Sequence, residues 1–134
     1  MAPPDRIEHL LLAEDNPGDV RLTKELLKGW DRDPTVHVVS DGADALDFLH
    51  QSGEHGDAPR PDVVLLDLNL PRVDGTEVLR ELDDDVRDIP VIVLSGTEPG
   101  GDKELDDLED RVQAVAVKPL DVDVLDEVAR SVQN

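Results

Sequence analysis

The sequence predicts an α/β domain built on a parallel five-stranded sheet, and three observations predict it. Short, continuous apolar runs recur along the chain, the pattern of strands covered on both faces. Between them lie segments with apolar residues at helical spacing. The two kinds of segment alternate, which requires crossover connections between parallel strands, and such crossovers are right-handed. At 134 residues the chain is long enough to bury one core. No internal repeat, low-complexity stretch or linker divides it, so residues 6–133 are expected to form one domain with no output domain attached.

Ile7 to Ala13 form the first expected strand, which ends at the acidic pair Glu14-Asp15. Asn16 and Pro17 suit the N-cap and first position of a helix, and Asp19 adds negative charge to its first turn. Val20, Leu26, Leu27 and Trp30 give that helix one apolar face, and Gly29 weakens its end. Thr35 to Val39 is short and β-branched, a second strand. Asp41-Gly42 opens the next helix, with Ala45, Leu46 and Leu49 inward, and the Gly- and Pro-containing stretch from Ser52 to Pro61 reads as a loop. A third helix is expected near Thr76–Leu82, burying Val78, Leu79 and Leu82. Pro90 introduces the apolar run Val91–Leu94, which ends at Ser95-Gly96. Residues 98–111 are strongly acidic with only Leu105 and Leu108 to face a core, so a short, weakly anchored fourth helix is expected there. Gln113 to Val117 is a fifth strand ending at Lys118-Pro119. Asp121 then caps a last helix whose inward positions are Val122, Leu125, Val128, Ala129 and Val132.

The chain is organised around Asp62–Gly75. Val63, Val64, Leu65 and Leu66 form an unbroken apolar run, Asp67 ends it, and Pro71 with Asp74-Gly75 forces a loop. A carboxylate at the carboxyl end of a central strand faces the crevice where open α/β sheets bind ligands. Four strands end in polar groups: Glu14-Asp15, Asp67, Ser95 and Lys118. In a parallel sheet these ends share one edge, and neighbouring strands stand about 4.8 Å apart. Three carboxylates beside one lysine are unstable unless they take up protons or bind a divalent cation. The donors are all oxygens, which favours Mg²⁺ over zinc or copper.

These pieces resemble one family, the receiver domain of two-component response regulators. The resemblance rests on Glu14-Asp15-Asn16, Leu-Leu-Asp67-Leu-Asn-Leu-Pro-Arg-Val-Asp-Gly, Val-Leu-Ser95-Gly and Lys118-Pro119, in that order, and it covers nearly the whole chain. The longer opening Glu-Asp-Asn-Pro-Gly-Asp is similar to that of stand-alone members associated with phytochromes. The resemblance implies a doubly wound, flavodoxin-like (βα)5 fold with strand order 2-1-3-4-5. It implies that Asp67 accepts a phosphoryl group from a sensor histidine kinase. Asp15, Asp67 and the backbone carbonyl of Asn69 would hold Mg²⁺, with Glu14 acting through a water, and Lys118 and Ser95 would contact phosphoryl oxygens. Family members usually carry Tyr or Phe three residues before the lysine. Here that position is Val115, and the chain's aromatics are Trp30 and Phe48, neither expected near that face. Output is therefore expected to run through order and disorder of residues 96–111. It would pass by protein contact to an unidentified downstream partner, through a relay to a phosphotransfer protein, or by homodimerisation through the face of the fourth helix, fifth strand and fifth helix.

Two other classes compete. A haloacid-dehalogenase-type phosphatase also uses a strand-end Asp, Ser/Thr, Lys and Mg²⁺, but its nucleophile normally follows the first strand, and this chain is too short for a substrate cap. A phosphorylation-independent adaptor would share the fold without needing all the phosphorylation groups present here. The absence of cysteine removes disulfides and thiolate metal sites. No basic start followed by an apolar run and no stretch of membrane-spanning length is present, so a cytoplasmic protein without a membrane partner is expected.

Lys and Arg number 13 against 33 Asp and Glu, a net charge of -20. Such a surface cannot neutralise phosphates, so nucleic acid is not an expected partner. The regular apolar segments argue against disorder, leaving a folded protein with a halophile-like acidic skin. At about 1 M salt the Debye length is near 3 Å and self-repulsion is largely screened. Lowering salt to about 0.1 M should therefore destabilise the domain. The check is the denaturant midpoint, and a midpoint independent of salt would remove the halophile reading.

Overall fold

The computed structural model describes residues 7–30, 34–68, 70, 73, 75–82, 89–95, 112, 114–117 and 122–131. Its centre is a parallel sheet of β1 (His9–Ala13), β2 (Thr35–Val39), β3 (Val63–Asp67), β4 (Val91–Ser95) and β5 (Ala114–Val117). The strand order is β2-β1-β3-β4-β5, the expected doubly wound arrangement. Helices α1 (Pro17–Lys28), α2 (Gly42–His50) and α3 (Gly75–Arg80) and a C-terminal helix, Val122–Ser131, complete the described elements. The expected fourth helix at 98–111, the order–disorder segment 96–111 and the cap Asp121 lie outside the described residues.

Strand alternation divides the core into two layers. On one side Leu11, Ala13, Val39, Val64, Leu66, Val91 and Val93 pack against Ala45, Phe48 and Leu49 of α2 and Val78 and Leu79 of α3. On the other, Leu10, Leu12, Val63, Leu65, Ile92, Leu94 and Ala116 meet Leu27, Trp30 and Leu125. β1, β3 and β4 are therefore buried on both faces, which is why they read as unbroken apolar runs.

The helix starts follow from their caps. The Asn16 side chain accepts from the N–H groups of Gly18 at 2.8 Å and Asp19 at 3.2 Å, with Pro17 in the first turn. Asp41 accepts from the Asp44 N–H at 2.7 Å and starts α2. Trp30, just past the end of α1, is buried and donates its indole N–H to Asp126 at 2.7 Å, tying α1 to the C-terminal helix. The stretch expected as plain loop after α2 contains a 3-10 turn, Gly53–His55, and Gln51 before it adopts φ 53.

Phe48 joins the expected Ala45 and Leu49 in the core and stays away from the Val115 edge, as expected. It lies in the same core layer against which Val115 packs, although over the opposite edge of the sheet. There its ring meets His37 of β2 and His55, each with centroids 5.3 Å away. His37 Nε2 in turn lies 3.1 Å from Nδ1 of His9.

Two glycines are dictated by close approach. A Cβ on Gly75 would stand 2.7 Å from the Leu68 Cα and 2.8 Å from the Asp67 carbonyl oxygen, where the chain folds back and the Gly75 N–H bonds the Leu68 carbonyl at 3.0 Å. At Gly42 a Cβ would land on the Val73 backbone, because the start of α2 abuts the loop after β3.

Two outcomes are expected. Gly75→Ala should lose about 1–3 kcal/mol in urea unfolding, since backbone must shift to admit the methyl. Gly29→Ala, whose Cβ would meet only the Leu26 carbonyl at an ordinary 3.6 Å, should change stability by less than about 1 kcal/mol. Equal losses at the two sites would refute the close-approach account.

The second outcome concerns His37, whose pKa is lowered from 6.5, first by burial and then by His9. The unfolded chain thus takes up this proton before the folded one as pH falls. The contribution to stability is present above about pH 6.5 and is lost as pH drops through that value towards the lower folded pKa. His37→Gln should flatten the stability–pH slope between about pH 7 and 5. An unchanged slope would contradict the assignment.

Candidate functional site

Register builds the site. Ala13 of β1 is level with Leu66 of β3, so the residues that follow, Glu14 and Asp67, leave the sheet side by side. The Glu14 N–H continues the ladder beyond β1 by donating to the Val39 carbonyl at 3.0 Å. Asp67 is level with Leu94 of β4, and Ser95 is level with Val117 of β5. The carboxyl ends of the strands therefore form one rim, as expected. Lys118 and Asn69 lie outside the described residues.

On that rim, Glu14, Asp15 and Asp67 each offer a carboxylate oxygen, and these atoms all lie within 4.8 Å of one another. Glu14 and Asp67 are buried at 1% and 3% exposure, whereas Asp15 is exposed. Glu14 Oε2 accepts from the Asn16 N–H at 3.3 Å, so the residue that caps α1 also helps seat this carboxylate. Unit charges at this separation repel by about 3 kcal/mol per pair at an effective dielectric near 20. A hard cation offsets that repulsion, and the all-oxygen donor set with one open, exposed side suits Mg²⁺ or Mn²⁺.

After β3 the chain comes back against the strand end. Its return at Gly75 passes against the backbone of Asp67 and Leu68, and Gly42 packs against Val73 of the same loop. Asp74 lies outside the described residues, and the Gly42–Val73 contact carries no sequence signal because it joins segments brought together only by the fold. Val115, where an aromatic was expected from the family pattern, is partly buried against the core layer shared by α2 and α3.

Comparison with known proteins agrees with this geometry. The response regulator receiver domain family matches residues 10–130. Response regulator Rcp1 of Synechocystis is 47% identical over 88 residues, covering 64% of this chain and 60% of Rcp1. This chain thus aligns with less than two thirds of that relative. The crystal structures of Mn²⁺-bound Rcp1 and of the phosphorylated cyanobacterial phytochrome response regulator RcpA each share 38% identity and a TM-score of 0.75. In both cases 94% of this chain and 89% of the other are covered. Since the family match runs from β1 into the C-terminal helix, the chain belongs to the response regulator receiver domains, the signalling proteins of two-component systems.

Proposed function

We propose that this receiver takes a phosphoryl group from a phosphohistidine of a sensor histidine kinase onto Asp67, with Mg²⁺ as cofactor. One observation carries the reading: a buried aspartate at the end of β3 stands with Glu14 and Asp15 in a cluster open to solvent on one side. An Asp67 carboxylate oxygen attacks phosphorus, the P–N bond breaks, and the departing imidazole keeps the bonding electrons and takes up a proton. The product is an acyl phosphate. Phosphoryl transfer asks the protein mainly for alignment and for positive charge near the equatorial oxygens. A bound Mg²⁺ supplies part of that charge.

Asp15, Asp67 and the backbone carbonyl of Asn69 would hold the ion, with Glu14 acting through a water. Lys118 would pair with a phosphoryl oxygen, and the Ser95 hydroxyl would donate to another. Phosphorylation replaces one carboxylate charge by roughly two and adds strong acceptor oxygens, which draws Ser95 and Lys118 inward. Mn²⁺ bound to Rcp1 and the phosphorylated state of RcpA support both the metal and the chemistry. The signal would then pass to a downstream protein by contact. Among the described residues no helix is long and apolar enough to cross a membrane, which is compatible with the proposed cytoplasmic setting.

Incubation with acetyl phosphate and Mg²⁺ should add the mass of one phosphoryl group in intact-mass measurement. Asp67→Asn or chelation of the metal should abolish the gain. No gain, or a gain that survives Asp67→Asn, would instead favour a phosphorylation-independent adaptor.

A further inference from the structure

We propose that His9 and His37 form a two-imidazole site for a borderline divalent transition metal, of the Zn²⁺, Ni²⁺ or Cu²⁺ class, at the end of the sheet opposite the carboxylate pocket. His9 opens β1, and Glu14 follows the other end of that strand. Five residues of strand separate the two positions by about 16 Å. His37 is level with Leu11 and His9 with Thr35, so the two histidines are diagonal neighbours on one face. Their facing nitrogens, Nδ1 of His9 and Nε2 of His37, are 3.1 Å apart. Two imidazole nitrogens held about 2.0–2.1 Å from one tetrahedral or octahedral ion stand roughly 2.9–3.4 Å from each other. The pair therefore already has the spacing of two ligands to a single metal.

Access and orientation also fit. Both side chains are half-buried, and β2 is an edge strand, so the pair opens to solvent rather than into the core. The His37 ring is held from behind by Phe48, with centroids 5.3 Å apart and planes tilted 47°, and Phe48 is held in turn by His55. The His9 and His37 rings are inclined at 41°, so a modest rotation directs both lone pairs to a common point. Remaining coordination positions go to water. Two protein ligands instead of four set the affinity in about the 1–100 µM range.

The chemistry separates this site from the pocket around Asp67. Imidazole nitrogen prefers Zn²⁺, Ni²⁺ and Cu²⁺, whereas carboxylate oxygen suits Mg²⁺ and Mn²⁺. In the free protein one facing nitrogen carries the proton of the imidazole–imidazole hydrogen bond. Metal binding needs both facing nitrogens bare, so that proton moves to the outer nitrogen of its own ring and none is released from the neutral pair. Burial and His9 lower the pKa of His37, which keeps its ring neutral at neutral pH. Among the described residues, two carboxylates lie close by. The Asp62 carboxylate accepts from the Glu8 and His9 backbone N–H groups, and beyond Phe48 an Asp44 oxygen lies 3.9 Å from His55 Nε2.

The test is a Zn²⁺ titration of the whole chain at pH 7.5, with about 10 mM Mg²⁺ present to fill the oxygen pocket, read by the ring-nitrogen NMR signals of the histidines. Saturable shifts of the His9 and His37 rings are expected, with one ion bound, and acidification to pH 5.5 should weaken binding at least tenfold. His9→Gln and His37→Gln should each weaken it at least tenfold. The wild-type spectra decide the matter even if either variant fails to fold. Ring signals of His9 and His37 that do not move, or Zn²⁺ binding that Mg²⁺ abolishes, would overturn the proposal.

Discussion

Gathering three carboxylates within 4.8 Å of each other is repulsive, and much of this fold is the means of enforcing it. Aspartate and glutamate side chains left to themselves would separate into water. Here two of them are fixed at the ends of strands whose register cannot slip, because β1 and β3 are apolar on both faces and each residue has its own layer to fill. A one-residue slip would exchange the two core layers. Val63–Leu66 thus carry Asp67 into its buried position at the end of β3. The repulsion is concentrated where a bound cation can offset it.

Most of the architecture was legible because it depends on patterns a chain cannot disguise. Strands covered on both faces must be continuously apolar, so β1, β3 and β4 could be placed within a residue or two. Asn16-Pro17 and Asp41-Gly42 announced helix starts through side chains that satisfy free N–H groups, and both do so. The gathering of Glu14, Asp15 and Asp67 was legible for the same reason, since strand ends in a parallel sheet share a rim. What escaped the sequence reading depends on contacts between distant segments. Nothing in the composition of 52–61 distinguishes a 3-10 turn from loop, and nothing in Gly42 shows that Val73 will arrive against it. Phe48 was missed as a core residue because a helix of nine residues shows only two turns of periodicity.

The sheet also separates two kinds of chemistry. Its carboxyl rim collects oxygen donors, while nitrogen donors sit near its amino end, on β1 and the edge strand β2. The rim is organised by main-chain register and by the loop closed at Gly75. The histidine pair is organised by ring packing on Phe48, which links it to α2 and the turn that follows. The apolar body of β1, Leu10–Ala13, lies fully buried between them.

The position of Val115 narrows how such a receiver can report its state. The chain holds one tryptophan, one phenylalanine and no tyrosine, and the structure places both rings. Trp30 is buried in the opposite layer from Val115, with its indole N–H bonded to Asp126, so turning it would break a hydrogen bond and open the contact between α1 and the C-terminal helix. Phe48 lies beside His37 of β2, across the full width of the sheet from β5. Four strand spacings at about 4.8 Å put roughly 19 Å between those edges. No aromatic ring can therefore swing inward beside β5 when the rim changes charge. A valine is restricted at χ1 and has too little reach to substitute for that movement.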